Sequence, residues 1–306
     1  MAGTGLLAPE SWLPAEPLPL DSIALRWHGA AFEGPALPPG PVGGYERYSA
    51  AIAARDRPRV FENRPTYRLS GADLLEPSME FGTGSYFDGI DIGEACAHEF
   101  AAYTLGLTDD MPLRAAVGDP WDLSRRPANV AISTLTLRVD RHGARFPLHW
   151  RDPAKVGHAG GLYQVLPVGI FQAVSDSPAD FDLWHCMLRE FAEELLGEPE
   201  LHGPIDYAAW PFARSMAPAR AWVLGLGVDP LTFATDLLTV VTLEAPVFDR
   251  LFGTLGGPND EGRILYGTGF GFDEATIDRL VSEEPMQAAG AALLRLAWRH
   301  REHLVP

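Results

Sequence analysis

The stretch Arg189-Glu-Phe-Ala-Glu-Glu-Leu195 gathers three carboxylates at relative positions i, i+3 and i+4, directly after an arginine. In an α-helix these carboxylates would lie within about 60° of one another, because each residue turns ~100°. Glu190, Glu193 and Glu194 would then repel, since like charges at this spacing cost roughly a few tenths of a kcal/mol. A hard divalent cation such as Mg²⁺ or Mn²⁺ reverses that penalty by binding carboxylate oxygens. An ordinary solvated acidic face is the alternative interpretation.

An amphipathic helix is predicted around this cluster. Apolar residues recur at spacings of three and four, at Phe181, Trp184, Leu188, Phe191 and Leu195. These side chains project roughly opposite the acids. Asp180 is expected to cap the helix N-terminus, while Gly197 and Pro199 are expected to end the helix. One face can therefore pack into a core while the other offers carboxylates to a cleft.

The segment resembles the signature of the Nudix hydrolase family, whose centre is Arg-Glu-(apolar)-x-Glu-Glu. The chain matches that centre position by position, at Arg189, Glu190, Phe191, Glu193 and Glu194. Upstream, Gly161-Leu-Tyr-Gln-Val-Leu-Pro-Val-Gly169 resembles the strand and Pro-Gly-Gly turn that open the same signature, with Pro167 and Gly169 at the matching places. The resemblance covers at most the part of the chain from residue 126 onward.

The two halves of the motif are farther apart than in the family. Gly169 precedes Arg189 by 20 residues, which is more than the family pattern has, so an insertion is expected around Ser175-Asp-Ser-Pro178. The intermediate glutamate of the family has no clear counterpart, although Asp180 or Asp182 could replace it. These differences alter the loop that shapes the phosphate cradle, while the three motif glutamates remain.

The resemblance implies hydrolysis of a diphosphate linkage, in a nucleoside diphosphate conjugate or a small-molecule diphosphate, with bound Mg²⁺ or Mn²⁺. It implies that Glu190, Glu193 and Glu194 are metal ligands, and that one of them orients the attacking water or takes its proton. Arg189 is expected to hold a glutamate, Glu193, in place. Glu261, in a glycine-rich segment after the motif, is a candidate general base, with an acidic turn residue as the alternative.

Substrate contacts are predicted at Arg151, Lys155 and Gly169. Arg151 and Lys155, the only lysine of the chain, precede the strand that leads to Gly169. Both could reach a phosphate, and the alternative is that they are surface charges of a hairpin loop. The net charge of −17 would oppose an anionic diphosphate, so a bound metal is needed more in this chain.

The rest of the pattern predicts an α/β protein. We expect a Nudix-like α/β/α sandwich with a mixed sheet over residues 126–306, and an accessory α+β region of unrecognised family over residues 1–125. Strands are predicted at 131–139, 146–150, 162–166, 221–228 and 237–243. Helices are predicted at 48–55, 91–100, 246–252, 272–280 and 286–304. Residues 1–40, rich in proline and glycine, are expected to wrap over a surface, and 81–87 to form a loop.

Composition argues against several classes of protein, namely nucleic-acid-binding, disulfide-rich and membrane-spanning proteins. The acidic balance opposes a nucleic-acid-binding surface. Cys96 and Cys186 form no CxxC pair, which favours a reduced, cytoplasmic chain. The chain start lacks signal-peptide features and no apolar run is long enough for a membrane span. A homodimer is possible. Three functions stay open: a metal-dependent hydrolase, a ligand-binding sensor on the same fold, and a non-hydrolytic enzyme that uses the same acids.

Overall fold

The computed structural model describes residues 1–58, 61–155, 160–253, 255–258, 262–266 and 270–305. The helices are α1 Tyr48–Arg55, α2 Tyr86–Gly89, α3 Ala95–Thr104, α4 Pro112–Val117, α5 Leu183–Glu190, α6 Pro211–Ser215, α7 Ala245–Phe252, α8 Glu274–Glu283, α9 Ala288–Arg299 and α10 Arg301–Leu304. The strands are β1 Leu18–Pro19, β2 Ala24–Trp27, β3 Pro65–Asp73, β4 Ser78–Ser85, β5 Val130–Asp140, β6 Gly143–Arg145, β7 Leu148–Arg151, β8 Tyr163–Gln164, β9 Val168–Ile170, β10 Arg220–Val228, β11 Thr235–Glu244, β12 Gly257–Pro258 and β13 Gly262–Leu265.

A six-stranded mixed sheet forms the centre of the fold. Its strand order is β1-β10-β11-β5-β6, and β9 also pairs with β5. The β11–β5 pair is parallel, while the other pairs of this sheet are antiparallel. Both β5 and β11 are rich in Val, Leu and Thr and are buried on both faces, as expected for the centre of a covered sheet. Their buried hydroxyls are paired, as in the 2.9 Å contact between Thr134 Oγ1 and Thr239 Oγ1.

Helices cover both faces of this sheet. On one face, Ile132, Leu237 and Val241 pack into a buried cluster with side chains of α5 and α7. On the other face, Leu135 and Leu238 pack into a second cluster with α8 and α9. The alternation of side chains along each strand assigns neighbouring residues to opposite clusters.

Two smaller sheets flank the central one. Strands β12, β13, β7 and β8 form an antiparallel sheet in that order. Strands β2, β4 and β3 form a mixed sheet, in which β2 and β4 are parallel. The protein is therefore a mixed α/β structure, as the sequence pattern predicts, but with more than the one mixed sheet that was expected.

Residues 1–40 contribute to the core, so the expectation that they only wrap over a surface is wrong. Leu18 and Pro19 pair with β10 in the central sheet. Trp12 and Leu20 are 3% and 7% exposed and belong to the same buried cluster as α5. Residues before and after position 125 thus share one buried cluster, while the predicted domain boundary at 125 stays a prediction.

Most predicted elements are confirmed with shifted ends. The helix at 48–55 and the strands near 131–139, 221–228 and 237–243 form as expected. Residues 81–87, predicted to be a loop, instead lie mostly in β4, whose glycines pair with β3. The partner of β5 in the predicted hairpin is β6, whereas β7 pairs with β13 and β8. In the described ranges, no helix is both long and apolar enough to cross a membrane.

The N-cap of α5 is Asp182, so the prediction that Asp180 caps this helix is wrong. The Asp182 carboxylate accepts a hydrogen bond of 2.9 Å from the His185 amide. Asp180 lies in the preceding 3₁₀ turn, Pro178–Asp180, and is completely buried. Two aspartates two residues apart therefore have different roles, one as a cap and one as a buried acceptor.

Substitution of these two aspartates should separate the two roles. We expect Asp182→Ala to lower the free energy of unfolding by about 1 kcal/mol, through loss of the cap. Asp180→Ala should cost more, about 3–5 kcal/mol, because it leaves the buried cation of Arg189 without its carboxylate. Urea unfolding followed by circular dichroism measures both values. Equal losses in the two variants would contradict the assignment.

Candidate functional site

Helix α5 and the π-helical segment that continues it, Phe191–Leu195, lie across β9. Side chains four residues apart contact three successive strand residues. Cys186 Sγ lies 3.5 Å from the Ile170 carbonyl oxygen, and Glu194 Oε1 accepts a 3.2 Å hydrogen bond from the Val168 amide. Between them, the Glu190 carboxyl group packs on Gly169. The two halves of the sequence motif therefore meet in space despite the insertion.

The contact between Glu190 and Gly169 depends on the missing side chain at position 169. A Cβ atom on Gly169 would lie 1.9 Å from the Glu190 Cδ atom and 2.0 Å from its Oε1 atom. Real contacts of this kind are never so short, so any larger residue must displace the carboxylate. The requirement for glycine here is a close approach of a side chain, and not an unusual backbone conformation.

The π-helical segment explains how the three glutamates divide. An i→i+5 hydrogen-bonding pattern places more residues in each turn than an α-helix does. Residues four apart then face nearly the same way, while residues three apart diverge more. Glu190 and Glu194 accordingly both contact β9. Glu193 accepts a hydrogen bond from the Leu201 backbone and lies within range of the charge of Glu200. The predicted common face of all three glutamates is therefore only partly formed.

Arg189 is buried and bonds to the segment that precedes α5, and its charge also acts on Glu193. The prediction that it positions Glu193 stays a prediction. It donates to the Gln172 carbonyl oxygen at 2.8 Å and to the Tyr207 hydroxyl group. Its NH1 atom lies 3.7 Å from Asp180 Oδ1. Among the residues that the structure describes, no hydrogen bond or ion pair joins Arg189 to Glu193.

Asp180 fixes the other side of the same insertion. Its Oδ2 atom accepts hydrogen bonds from the Val174 amide at 3.1 Å, and from the Ser175 amide and hydroxyl group at 2.8 Å each. Its Oδ1 atom faces Arg189 and accepts from the Tyr207 hydroxyl at 3.4 Å. Asp180 was one of two candidates to replace the family's intermediate glutamate, and the structure places it as a buried support for the loop.

Glu193 is a carboxyl group whose acidity its surroundings weaken. Burial, and secondarily the charge of Glu200, raise its pKa from the ordinary 4.5 to about 7. A backbone hydrogen bond from Leu201 and the charges of Arg189 and Arg64 act in the opposite direction but are weaker. Such a group can both release and accept a proton near neutral pH.

A cleft of about 260 Å³ borders β9. Its walls come from the π-helical segment Ile90–Glu94, from β9 and from the segment that leads into β11. The lining includes Arg151, Val168 and Gly169 but not Glu190, Glu193 or Glu194. Val168 and Gly169 therefore border both the cleft and the glutamates.

The other predicted residues lie in different places. Arg151, in β7, donates to Gln164 Oε1 at 3.2 Å at the edge of the cleft. Lys155 is exposed in the turn after β7 and does not line the cleft. Glu261 lies outside the described residues. The prediction that it is a general base stays a prediction.

Several cleft residues were not predicted from the sequence. Arg126 and Gln287 are far apart in sequence, and each is buried at the cleft. Arg126 follows Arg125 in a short basic pair, a pattern typical of surface or helix-end charges. The structure instead buries Arg126, which is only 3% exposed. No local pattern distinguishes a buried arginine from an exposed one, so only tertiary structure could identify it.

The carboxylates fit a magnesium site only if the substrate completes it. In the described part of the chain, no group of three or more His, Cys, Asp or Glu side chains is arranged to hold a metal ion. Glu190 and Glu194, however, both lie against β9. Mg²⁺ is commonly held by one or two carboxylates together with phosphate oxygens and water. The donor set is thus suited to a metal that arrives with a phosphorylated substrate.

Comparison with known proteins adds no family. No protein-family model matches the chain, and no curated protein matches it significantly. The chemical argument therefore depends on the geometry described above.

The contact between Glu190 and Gly169 predicts a double-mutant cycle. Gly169→Ala should lower the free energy of unfolding by about 1–3 kcal/mol through overpacking. Adding Glu190→Ala should restore much of that loss, because the group that clashes is gone. Gly71→Ala is the control, since a Cβ there meets Glu80 at an ordinary 3.4 Å. Urea unfolding gives the free energies of unfolding of the native protein, the two single variants, the double variant and the control. If the losses of the two single variants simply add in the double variant, the two residues do not touch.

The pKa of Glu193 predicts a pH-dependent stability. The pKa of Glu193 is higher in the folded protein than in the unfolded chain. The contribution of Glu193 to the free energy of unfolding is therefore complete below about pH 4.5 and is lost as pH rises through about 7. In metal-chelating buffer, Glu193→Gln should therefore raise the melting temperature relative to the native protein by several degrees more at pH 8 than at pH 5. Glu198→Gln, at an exposed neighbour, should show no such change. A pH-independent difference for Glu193→Gln would contradict the prediction.

Proposed function

We propose that this protein is a metal-dependent hydrolase of a diphosphate linkage, acting on a nucleoside diphosphate conjugate or a small-molecule diphosphate through a Nudix-like arrangement. One observation carries the proposal. Glu190 packs on Gly169 and Glu194 accepts from the Val168 amide, although 20 residues separate Gly169 from Arg189. The arrangement of helices on both faces of a mixed sheet is compatible with a Nudix-like sandwich.

The residues of the site suggest a division of labour. Glu190 and Glu194 would hold Mg²⁺ or Mn²⁺ together with phosphate oxygens of the substrate. When bound, the metal neutralises the diphosphate and lowers the pKa of a water molecule. Arg189 keeps the glutamate-bearing turn in place through its contacts with Tyr207, Gln172 and Asp180. In this proposal Arg189 is a positioning residue, because its hydrogen bonds go to other groups of the protein.

Arg151 adds positive charge on the substrate side. Its side chain lines the cleft that Gly169 borders, and its NH1 atom is oriented by Gln164. A guanidinium group suits a phosphate because it offers several donors in one plane. In a chain with net charge −17, such a local cation and a metal ion both reduce the repulsion of an anionic substrate.

A ligand-binding protein without hydrolysis is the second candidate. It is favoured by the division of the three glutamates, because the contacts with β9 come from Glu190 and Glu194, while Glu193 accepts a hydrogen bond from the Leu201 backbone. A protein of this kind would use the cleft beside Gly169 to bind a ligand and would release no product. The carboxylates on β9 would then stabilise the helix without chemistry.

A turnover panel distinguishes the candidates. Nucleoside diphosphate conjugates and other diphosphates are incubated with Mg²⁺ or Mn²⁺, and phosphate-containing products are measured. The native chain, Glu190→Gln, Glu193→Gln and Glu194→Gln are compared. Glu198→Gln serves as the matched control, because this glutamate lies just after the π-helical segment and is exposed.

We expect hydrolysis of at least one panel member by the native chain and by Glu198→Gln. Glu190→Gln and Glu194→Gln should lose activity by several orders of magnitude, since each removes a proposed metal ligand. Binding of a panel member with no product, unaffected by these substitutions, would support the ligand-binding protein. Product formed without cleavage of a diphosphate would indicate non-hydrolytic chemistry.

A further inference from the structure

Arg126 is a buried cation at the wall of the cleft. It is 3% exposed, and its hydrogen bonds go to neutral acceptors. Its Nε atom donates to the Pro120 carbonyl oxygen at 2.7 Å, and its NH2 atom to Thr235 Oγ1 at 3.0 Å. Its guanidinium carbon lies 5.9 Å from the centre of the Phe233 ring. In the part of the chain that the structure describes, no carboxylate forms an ion pair with it.

A buried charge without a counter-ion is unfavourable, so its presence at a cleft needs a reason. Burial lowers the pKa of Arg126 to about 10, and the nearby Cys96 offsets this only slightly. The guanidinium group therefore keeps its proton at neutral pH. An anionic group bound in the cleft would supply the missing opposite charge.

Gln287 is a second, independent sign of a ligand. It lines the same cleft and is 9% exposed. Its Oε1 atom is buried and has no hydrogen-bond partner among the described residues. Buried side-chain oxygens are nearly always paired with a donor in folded proteins. A ligand with an O–H or N–H group would satisfy this acceptor.

The size of the cleft limits the ligand. At about 260 Å³ it is slightly smaller than typical sites for drug-sized molecules, which are roughly 300–1,000 Å³. Ile90 and Ile92 add apolar wall, while Gln164 and Asn129 add amide groups. The lining also includes charged residues of both signs, Arg151, Glu94 and Asp236. These dimensions suit a single sugar-sized ring or chain that carries one anionic group and several hydroxyls.

We propose that this cleft binds a compact polyhydroxylated organic anion, with its phosphate or carboxylate group opposite Arg126 and a hydroxyl group donating to Gln287. This anion could be the part of the substrate that is attached to the diphosphate, because Gly169 borders both the cleft and Glu190. That identification rests on the proposed function. The binding itself requires neither metal nor hydrolysis. It can therefore be tested separately.

The test measures binding by calorimetry in metal-chelating buffer with three matched probes. These are ribose 5-phosphate, ribonate and neutral ribose. The native protein is compared with Arg126→Gln and Gln287→Met. Arg125→Gln is the control, because Arg125 is the exposed neighbour of Arg126 and lies outside the cleft.

We expect at least one of the two anions to bind the native protein about tenfold or more tightly than ribose. Arg126→Gln should abolish that difference, and Gln287→Met should weaken the binding several-fold while keeping the preference for the anion. Arg125→Gln should change neither. If Arg126→Gln does not fold, Arg126→Lys replaces it and should retain the anion preference. Tighter binding of ribose 5-phosphate or of ribonate identifies the anionic group.

Equal binding of ribose and the anions, or no binding of either anion at millimolar concentration, overturns the proposal. So does anion binding that is insensitive to Arg126 and Gln287. The two proposals can fail separately. Anion binding that needs Arg126, in a chain without turnover, would remove the hydrolase and keep this site. Turnover that is unaffected by Arg126→Gln would keep the hydrolase and remove this anion site.

Discussion

The close approach of helix α5 to strand β9 is the contact on which the rest of the site depends. It is possible because position 169 has no side chain, so that the Glu190 carboxyl group can lie directly on the strand backbone. One turn later, Glu194 accepts from the Val168 amide. The same two strand residues also line the cleft. A short strand thus connects the carboxylates to the cleft, and a change at position 169 alters both.

The sequence predicts the helix that carries the glutamates well, because its apolar pattern agrees with the residues that are buried. The apolar spacing indicates a helix that packs into the core, and Leu188, Phe191 and Leu195 are indeed buried there, although the helix begins at Leu183, after Phe181. The π-helical turn at Phe191–Leu195 could not be predicted, because its residues have ordinary helical propensities. That turn decides which glutamates share a direction. The pattern of the motif therefore indicates the helix correctly but gives the orientation of Glu193 incorrectly.

The amino-terminal residues show a different limit of sequence patterns. Proline and glycine punctuation suggests an irregular surface segment, yet this segment contributes the short strands β1 and β2 to two sheets. Trp12 and Leu20 are buried in the main cluster, because burial of a large apolar side chain does not require a long helix or strand around it. Arg126 presents the opposite case, a charged residue that tertiary contacts bury. In both cases the deciding interactions come from residues distant in sequence.

The insertion between the motif halves has a consequence for how such chains diversify. A single buried carboxylate, Asp180, holds the backbone at Val174 and Ser175, and Arg189 holds it at Gln172. Both ends of the extra segment are thereby tied to the helix that bears the glutamates. Length can then be gained or lost between these ties without moving the helix against its strand. The number of residues between Gly169 and Arg189 then does not determine how close the two motif halves lie in space. A fixed residue spacing is therefore a poor criterion for whether a chain can form this arrangement.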